Sequence, residues 1–145
     1  MTAPSAPIPE GSERRAILTR EIMAATGLDE PTLERVVREF YGAARLDPLL
    51  GPKFARVADW EAHISQICAF WSSVALMTGR YHGQPMAAHL PLDLDAAHFR
   101  RWLELFEVTA RRICTSAGAE RLVERAHRIG QSLQLGIQVQ RGVLP

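Results

Sequence analysis

Apolar residues recur at helical spacing along most of this 145-residue chain and nowhere alternate singly for the length of a strand, so an all-helical fold is expected. One stripe holds Leu33, Val36, Val37, Phe40 and Ala44. Asp29 stands ahead of it as an N-cap, and Pro31 occupies the first turn, where a missing backbone N–H costs nothing. A second run, Asp59 to Thr78, carries one row with His63, Ile67, Phe70 and Val74 and a neighbouring row with Ile64, Cys68, Trp71 and Ala75. Those rows predict a helix with a wide buried face that stops at Gly79. A third helix follows the capping Asp95 through Phe99, Trp102, Leu103, Phe106, Ala110 and Ile113 to about Cys114. The last, from about Gly118 to Gln140, buries Leu122, Ala126, Ile129, Leu133 and Ile137.

The connections are short. Asp47-Pro48 opens a corner that runs through Phe54, in which Gly51-Pro52 prevents a long regular helix. Gly83 and Pro85 keep the link to His89 irregular. At the start, residues 1–12 are rich in proline and serine and are expected as a mobile tail. Residues 13–28 form an extension in which Glu13 to Ala25 predicts one helix before Gly27, and 29–145 form the main domain. With 47% apolar and 23% charged residues, the chain has the composition of one globular domain. A domain of about 150 residues buries roughly 70% of the surface its unfolded chain exposes, enough to enclose a sizeable ligand.

The net charge is +1, and the arginines and the single Lys53 are interspersed with acids. No basic stripe of the kind that grips phosphate backbones results, and nucleic acid is excluded as an expected partner. Cys68 and Cys114 lack Cys-x-x-Cys spacing and read as reduced core cysteines. The start carries no basic region followed by an apolar one, and Ser72-Ser73 interrupts the longest apolar stretch, so a soluble cytoplasmic protein without a membrane partner is expected.

The chemistry concentrates in Arg80 to His89, which ends in a histidine on a short, proline-started turn between two apolar helical patterns. A histidine placed so can serve as an axial ligand, although such a residue taken alone is more often a cap or a solvated side chain. Two other pairs, Asp95-x-x-His98 and Glu124-x-x-His127, have the spacing of carboxylate-bridged di-iron ligands. Helical geometry opposes that use. Glu124 and His127 share a row with Arg128 and Gln131, away from the apolar stripe, and Asp95 is better spent as a cap, so both pairs are expected in solvent.

From about Leu28 to Ile137 the chain resembles the truncated haemoglobins of group III. The segments that carry the likeness are Phe40-Tyr41, Asp47-Pro48-Leu49-Leu50-Gly51-Pro52, Asp59-Trp60 with His63, Phe70-Trp71-Ser72-Ser73 and Thr78-Gly79-Arg80-Tyr81. Pro85-Met86 with His89, His98-Phe99 with Trp102, and Arg125-Ala126 with Arg128-Ile129 follow in the same order. The resemblance implies a globin-like, two-over-two helical sandwich around haem b (iron protoporphyrin IX). His89 would be the proximal iron ligand, and Tyr41, Trp102 and His63 would form the distal side. Ile67, Phe70, Trp71, Met86 and Phe99 are the expected pocket walls, with Arg80 and Tyr81 toward the haem propionates.

The implied function is reversible binding of dioxygen and other small haem ligands, among them nitric oxide, carbon monoxide and cyanide. The competing reading is a haem enzyme for nitric oxide dioxygenation or peroxide chemistry, for which no catalytic residue is assigned. No glycine-rich phosphate loop for a flavin or nicotinamide is present, so that reading needs an external reductase.

Overall fold

The structure, a computed structural model, describes residues 11–89 and 92–142. The elements among the described residues are, in order, α1 (Gly11–Thr26), α2 (Glu30–Leu46), a 3₁₀ turn (Gly51–Phe54), α3 (Trp60–Leu76), α4 (Pro85–His89), α5 (Ala96–Ile113) and α6 (Ser116–Gln140). No strand occurs among the described residues. The first ten residues of the expected tail, and the three that end the main domain, lie outside the described residues. Among the described residues, no helix is long and apolar enough to cross a membrane.

The start of α2 is built as its sequence implies. The Asp29 carboxylate accepts from the Thr32 N–H at 2.9 Å, satisfying one of the orphan donors of the first turn. Leu33, Val36, Val37, Phe40 and Ala44, the five residues of the apolar stripe, are all buried. Asp59 caps α3 through the Ala62 N–H, and Thr115 caps α6 through the Gly118 N–H at 3.0 Å, two residues earlier than the expected start of that helix.

The end of α3 differs from the expectation. The helix stops at Leu76 rather than continuing to Thr78, and Met77 takes a left-handed conformation with φ 61°. The cause is tertiary. Arg121 and Arg125, both on α6, donate through Nε to the carbonyls of Ala75 and Val74 at 2.6 and 2.7 Å. These bonds occupy carbonyls that a helix end leaves open and bring positive charge to the negative pole of its dipole.

Helices α5 and α6 pack along one another, and α2 packs on both α3 and α5, so two helix pairs enclose the core. Phe40 meets Tyr41, Trp102 and Phe106 edge-on, while Phe106 stacks on Trp71 at 4.7 Å. Burying one such side chain contributes about 1.5–3 kcal/mol. A second cluster, Leu94, Phe99, Leu133 and Ile137, lies beneath α4 and receives Met86. Met86 occupies the space a Cβ at Gly136 would take, so α4 approaches α6 where the latter has no side chain.

Helix α1 spans Gly11–Thr26, slightly longer than the expected Glu13 to Ala25, and packs on α3 and α6. It buries Ile22 and is tied at two points: Thr19 Oγ1 donates to the Leu76 carbonyl and Thr115 Oγ1 to the Thr26 carbonyl, each at 2.5 Å. The extension thus covers the end of α3 that the arginines also hold.

Candidate functional site

Between the two helix pairs and the short α4 lies a cavity of about 650 Å³. Its size falls within the roughly 300–1,000 Å³ range of cofactor pockets. His89, the last residue of α4, stands in its wall. The Nδ1 atom of His89 lies 2.6 Å from the Pro85 carbonyl. A carbonyl can only accept, so Nδ1 carries a proton, and in the neutral ring Nε2 is then the nitrogen with the lone pair. Pro85 serves twice here, starting the turn and orienting the imidazole that ends it.

Tyr41 from α2, His63 from α3 and Trp102 from α5 line the same cavity. The Tyr41 ring meets His63 edge-on at 5.8 Å and Phe54 at 5.5 Å. Burial pushes the Tyr41 phenol up, so it remains a proton donor across the physiological range. Burial, reinforced by the nearby His89, holds the His63 imidazole below the usual histidine value. Neither the Tyr41 hydroxyl nor the Trp102 indole N–H has a protein partner among the described residues, although no fully enclosed side-chain nitrogen or oxygen there is left unpaired. Both donors therefore open on accessible space.

Of the expected wall residues, Ile67, Phe70, Trp71 and Phe99 line the cavity, and Met86 does not; it is turned instead into the cluster with Leu133 and Ile137. Tyr81 is in the lining, its backbone N–H donating to Ser73 Oγ at 2.8 Å. Arg80 lies outside the lining and is paired with Glu30 at 2.7 Å. Glu30 also accepts from the buried Ser72 hydroxyl at 2.6 Å, so Arg80 closes a network that ties α3 to the start of α2. A charge partner at hand on α2 is the physical reason that Arg80 points away from the cavity.

Several polar residues of the lining were not assigned to it by the sequence reading, among them Lys53, Arg56 and His98. Lys53 donates to the Asp93 carbonyl at 3.0 Å, and Arg56 has no carboxylate partner among the described residues. Both sit on the corner after α2, where Gly51-Pro52 removes the periodicity that would assign them a face. His98, expected in solvent, is only 12% exposed as a side chain. Its Nδ1 accepts the Asp95 N–H at 3.1 Å in a capping box, which folds the ring back over the helix start and into the cavity wall. Glu124 and His127 are exposed as expected, with Glu124 paired to Arg128 at 2.7 Å.

No family model matches the chain. The curated group 3 truncated hemoglobin ctb of Campylobacter jejuni is 28% identical over 113 residues, covering 74% of this chain and 89% of that protein. The crystal structure of the group III truncated hemoglobin from the same organism superposes with a TM-score of 0.71 at 28% identity, covering 76% of this chain and 91% of that one. In sequence and in fold the chain is similar to the group III truncated haemoglobins. Its helices form the truncated globin fold, with α2 and α3 against α5 and α6. The cavity occupies the space between the two helix pairs, and the histidine-bearing α4 forms one wall.

Proposed function

We propose that the cavity holds haem b, that His89 would hold its iron, and that the protein reversibly binds dioxygen and related small ligands beside Tyr41, Trp102 and His63. The observation that carries this reading is the His89–Pro85 hydrogen bond, because it engages Nδ1 and leaves Nε2 as the nitrogen available in the wall of a cofactor-sized cavity. The donor set fits the group: one imidazole on the wall, apolar faces at Ile67, Phe70 and Phe99, and cationic side chains at Lys53 and Arg56 for the propionates. Tyr81 lines the same cavity and adds a hydroxyl toward them.

Haem, when bound, supplies an iron centre that takes small diatomic ligands. The chain's own residues then decide how long such a ligand stays. Tyr41, kept neutral by burial, and Trp102 each present a donor without a protein acceptor, and both can hydrogen-bond a ligand that gains negative charge. Ile67 and Phe70 give the same space apolar walls. His63 stands at the Tyr41 edge as a gate or as an alternative nitrogen donor.

The deciding experiment is the ultraviolet–visible spectrum of the purified protein, oxidised, reduced, and reduced under carbon monoxide. A Soret band that shifts on adding carbon monoxide is expected. Absence of such a band after haem reconstitution would overturn the reading.

One observation favours an enzyme as the second reading. His63 is held neutral next to the Tyr41 donor, which provides a base and an acid on the same side of the cavity for peroxide chemistry or for oxidation of nitric oxide. Turnover would require electrons from a separate reductase. Sustained consumption of nitric oxide or peroxide in the presence of an electron source supports it; a single turnover refutes it.

A further inference from the structure

Helix α4 has five residues, Pro85-Met86-Ala87-Ala88-His89, and none is fully buried. Ala87 and Ala88 are exposed, so Met86 is the single long apolar side chain by which this helix grips its surroundings. Among the described residues, the hydrogen bonds of α4 are local: the Ala88 N–H donates to the Gln84 carbonyl at 3.2 Å, and the His89 ring reaches the Pro85 carbonyl. The chain is anchored on either side of it. Before α4 the Tyr81 N–H donates to Ser73 Oγ; after it the Asp93 carbonyl accepts from Lys53, and the Asp93 carboxylate pairs with Arg141 at 3.0 Å. We propose that Met86 and Gly136 are a positioning pair for His89, through which α6 sets where the imidazole stands in the cavity wall.

Met86 precedes His89 by three residues, a spacing that puts the two side chains on one face of a helix, a turn apart. A shift of one is carried to the other. Met86 packs against Leu133 and Ile137 of α6, with Leu94 and Phe99 in the same cluster. The seat exists because Gly136 has no side chain. A Cβ there would lie 2.7 Å from Met86 Sδ, with the terminal methyl nearer still, well inside the roughly 3.5–4.0 Å of an ordinary apolar contact. Any added methyl group must therefore displace Met86. Its rotatable bonds let the side chain yield in part, but the surrounding cluster passes the rest of the displacement to α4. No hydrogen bond from α4 to another helix, among the described residues, opposes that movement. An axial histidine placed by packing holds iron as closely as the packing allows, so the pair tunes the strength of that bond.

The consequence for iron rests on the haem reading above, whereas the seat itself does not, and the test separates them. On the haem-loaded full chain, the iron–histidine stretching band of the reduced protein is recorded by resonance Raman, and hydrogen exchange is followed at the Ala88 amide. The proteins compared are the wild type, Gly136→Ala, Gly130→Ala and the double variant Gly136→Leu with Met86→Ala. Alanine is the better helix former, so neither single change weakens α6 itself. Gly130→Ala is the control, because a Cβ there meets only ordinary contacts, 3.9 Å from Leu103 Cδ1 and 4.0 Å from Phe99 Cδ1. In Gly136→Ala the band is expected to shift and Ala88 exchange to quicken severalfold, while Gly130→Ala leaves both unchanged. The double variant refills the seat from the other helix and is expected to return both readouts toward the wild type. An unchanged band in Gly136→Ala overturns the positioning role. Equal shifts in Gly130→Ala and Gly136→Ala would assign the effect to α6 as a whole and overturn the pairing. A wild-type preparation with no Soret band would remove the haem reading instead, and Ala88 exchange would then decide the seat: an unchanged rate in Gly136→Ala overturns it.

Discussion

Arg101 Nε donates to Asp47 Oδ1 at 2.7 Å, joining the corner after α2 to the first half of α5. The other Asp47 oxygen accepts the backbone N–H groups of Leu49 and Leu50 at 3.1 and 3.0 Å, so one carboxylate both turns the chain and anchors the turn. Lys53 and Arg56 ride on that corner into the cavity wall. The Arg101 hydrogen bond, more than the backbone bonds, holds the Asp47 carboxyl below its ordinary value of 3.8. A depressed carboxylate stabilises the fold above its ordinary value and loses that contribution as pH falls through the lower, folded-state value. Thermal melts from about pH 6 down to about pH 2 should therefore show an acid-side loss of stability that shrinks in Asp47→Asn. Equal slopes for the two proteins would exclude Asp47 as a source of the acid sensitivity.

Replacing His89 by alanine tests the axial assignment without disturbing the core, because α4 buries none of its residues fully. The variant should fold with an unchanged far-ultraviolet circular dichroism spectrum and lose ordinary haem retention on gel filtration. Supplying imidazole in solution should restore part of the Soret absorbance, since the cavity that held the side chain remains. A variant that keeps haem with an unaltered axial-imidazole signature would refute the assignment.

How far these features can be read in advance depends on what kind of interaction makes them. The α2 stripe and its Asp29 cap are local, determined by spacing and one side chain, and the structure reproduces both. The stop of α3 at Leu76 is not local: the carbonyls it exposes are met by Arg121 and Arg125 from more than forty positions along the chain. The same holds for Arg80, whose direction is set by Glu30 on another helix, and for Met86, which turns toward Gly136. The Asp95 cap is legible in the sequence; the return bond of the capping box, from the Asp95 N–H to the His98 ring, is not, and that bond takes His98 out of solvent. Lys53 and Arg56 had no helical period from which to infer a face. Tyr41, His63, Trp102 and His89 come from four different helices, and only the resemblance assembles them from sequence; spacing within any one helix does not.

Phenylalanine at Tyr41 removes a hydroxyl and little volume. The ring keeps its edge-on contacts with Phe40 at 4.9 Å and Phe54 at 5.5 Å, so stability should change little. If the hydroxyl holds a ligand in the cavity, losing one neutral hydrogen bond of about 0.5–1.5 kcal/mol should quicken dioxygen release about twofold to tenfold. Stopped-flow displacement of dioxygen by carbon monoxide measures that rate directly. An unchanged rate removes Tyr41 from ligand retention and leaves Trp102 as the donor to test.

The extension is held by a close approach that a single methyl group would disturb. A Cβ at Gly118 would lie 3.0 Å from the Thr26 carbonyl oxygen and 3.1 Å from Leu28 Cδ2. The nearer atom belongs to the backbone at the end of α1 and cannot rotate away. Gly118→Val should therefore push α1 from α6 and strain the Thr115–Thr26 hydrogen bond, an overpacking cost of about 1–3 kcal/mol. Because α1 buries only Ile22, the displacement should remain local. Hydrogen exchange in the last turn of α1 is expected to quicken while the protected core of α5, built on Phe99, Phe106 and Ala110, keeps its exchange rates. Uniform acceleration in α1 and α5 together would mean that the extension unfolds only with the whole domain, and that it is part of the core rather than a cover over the end of α3.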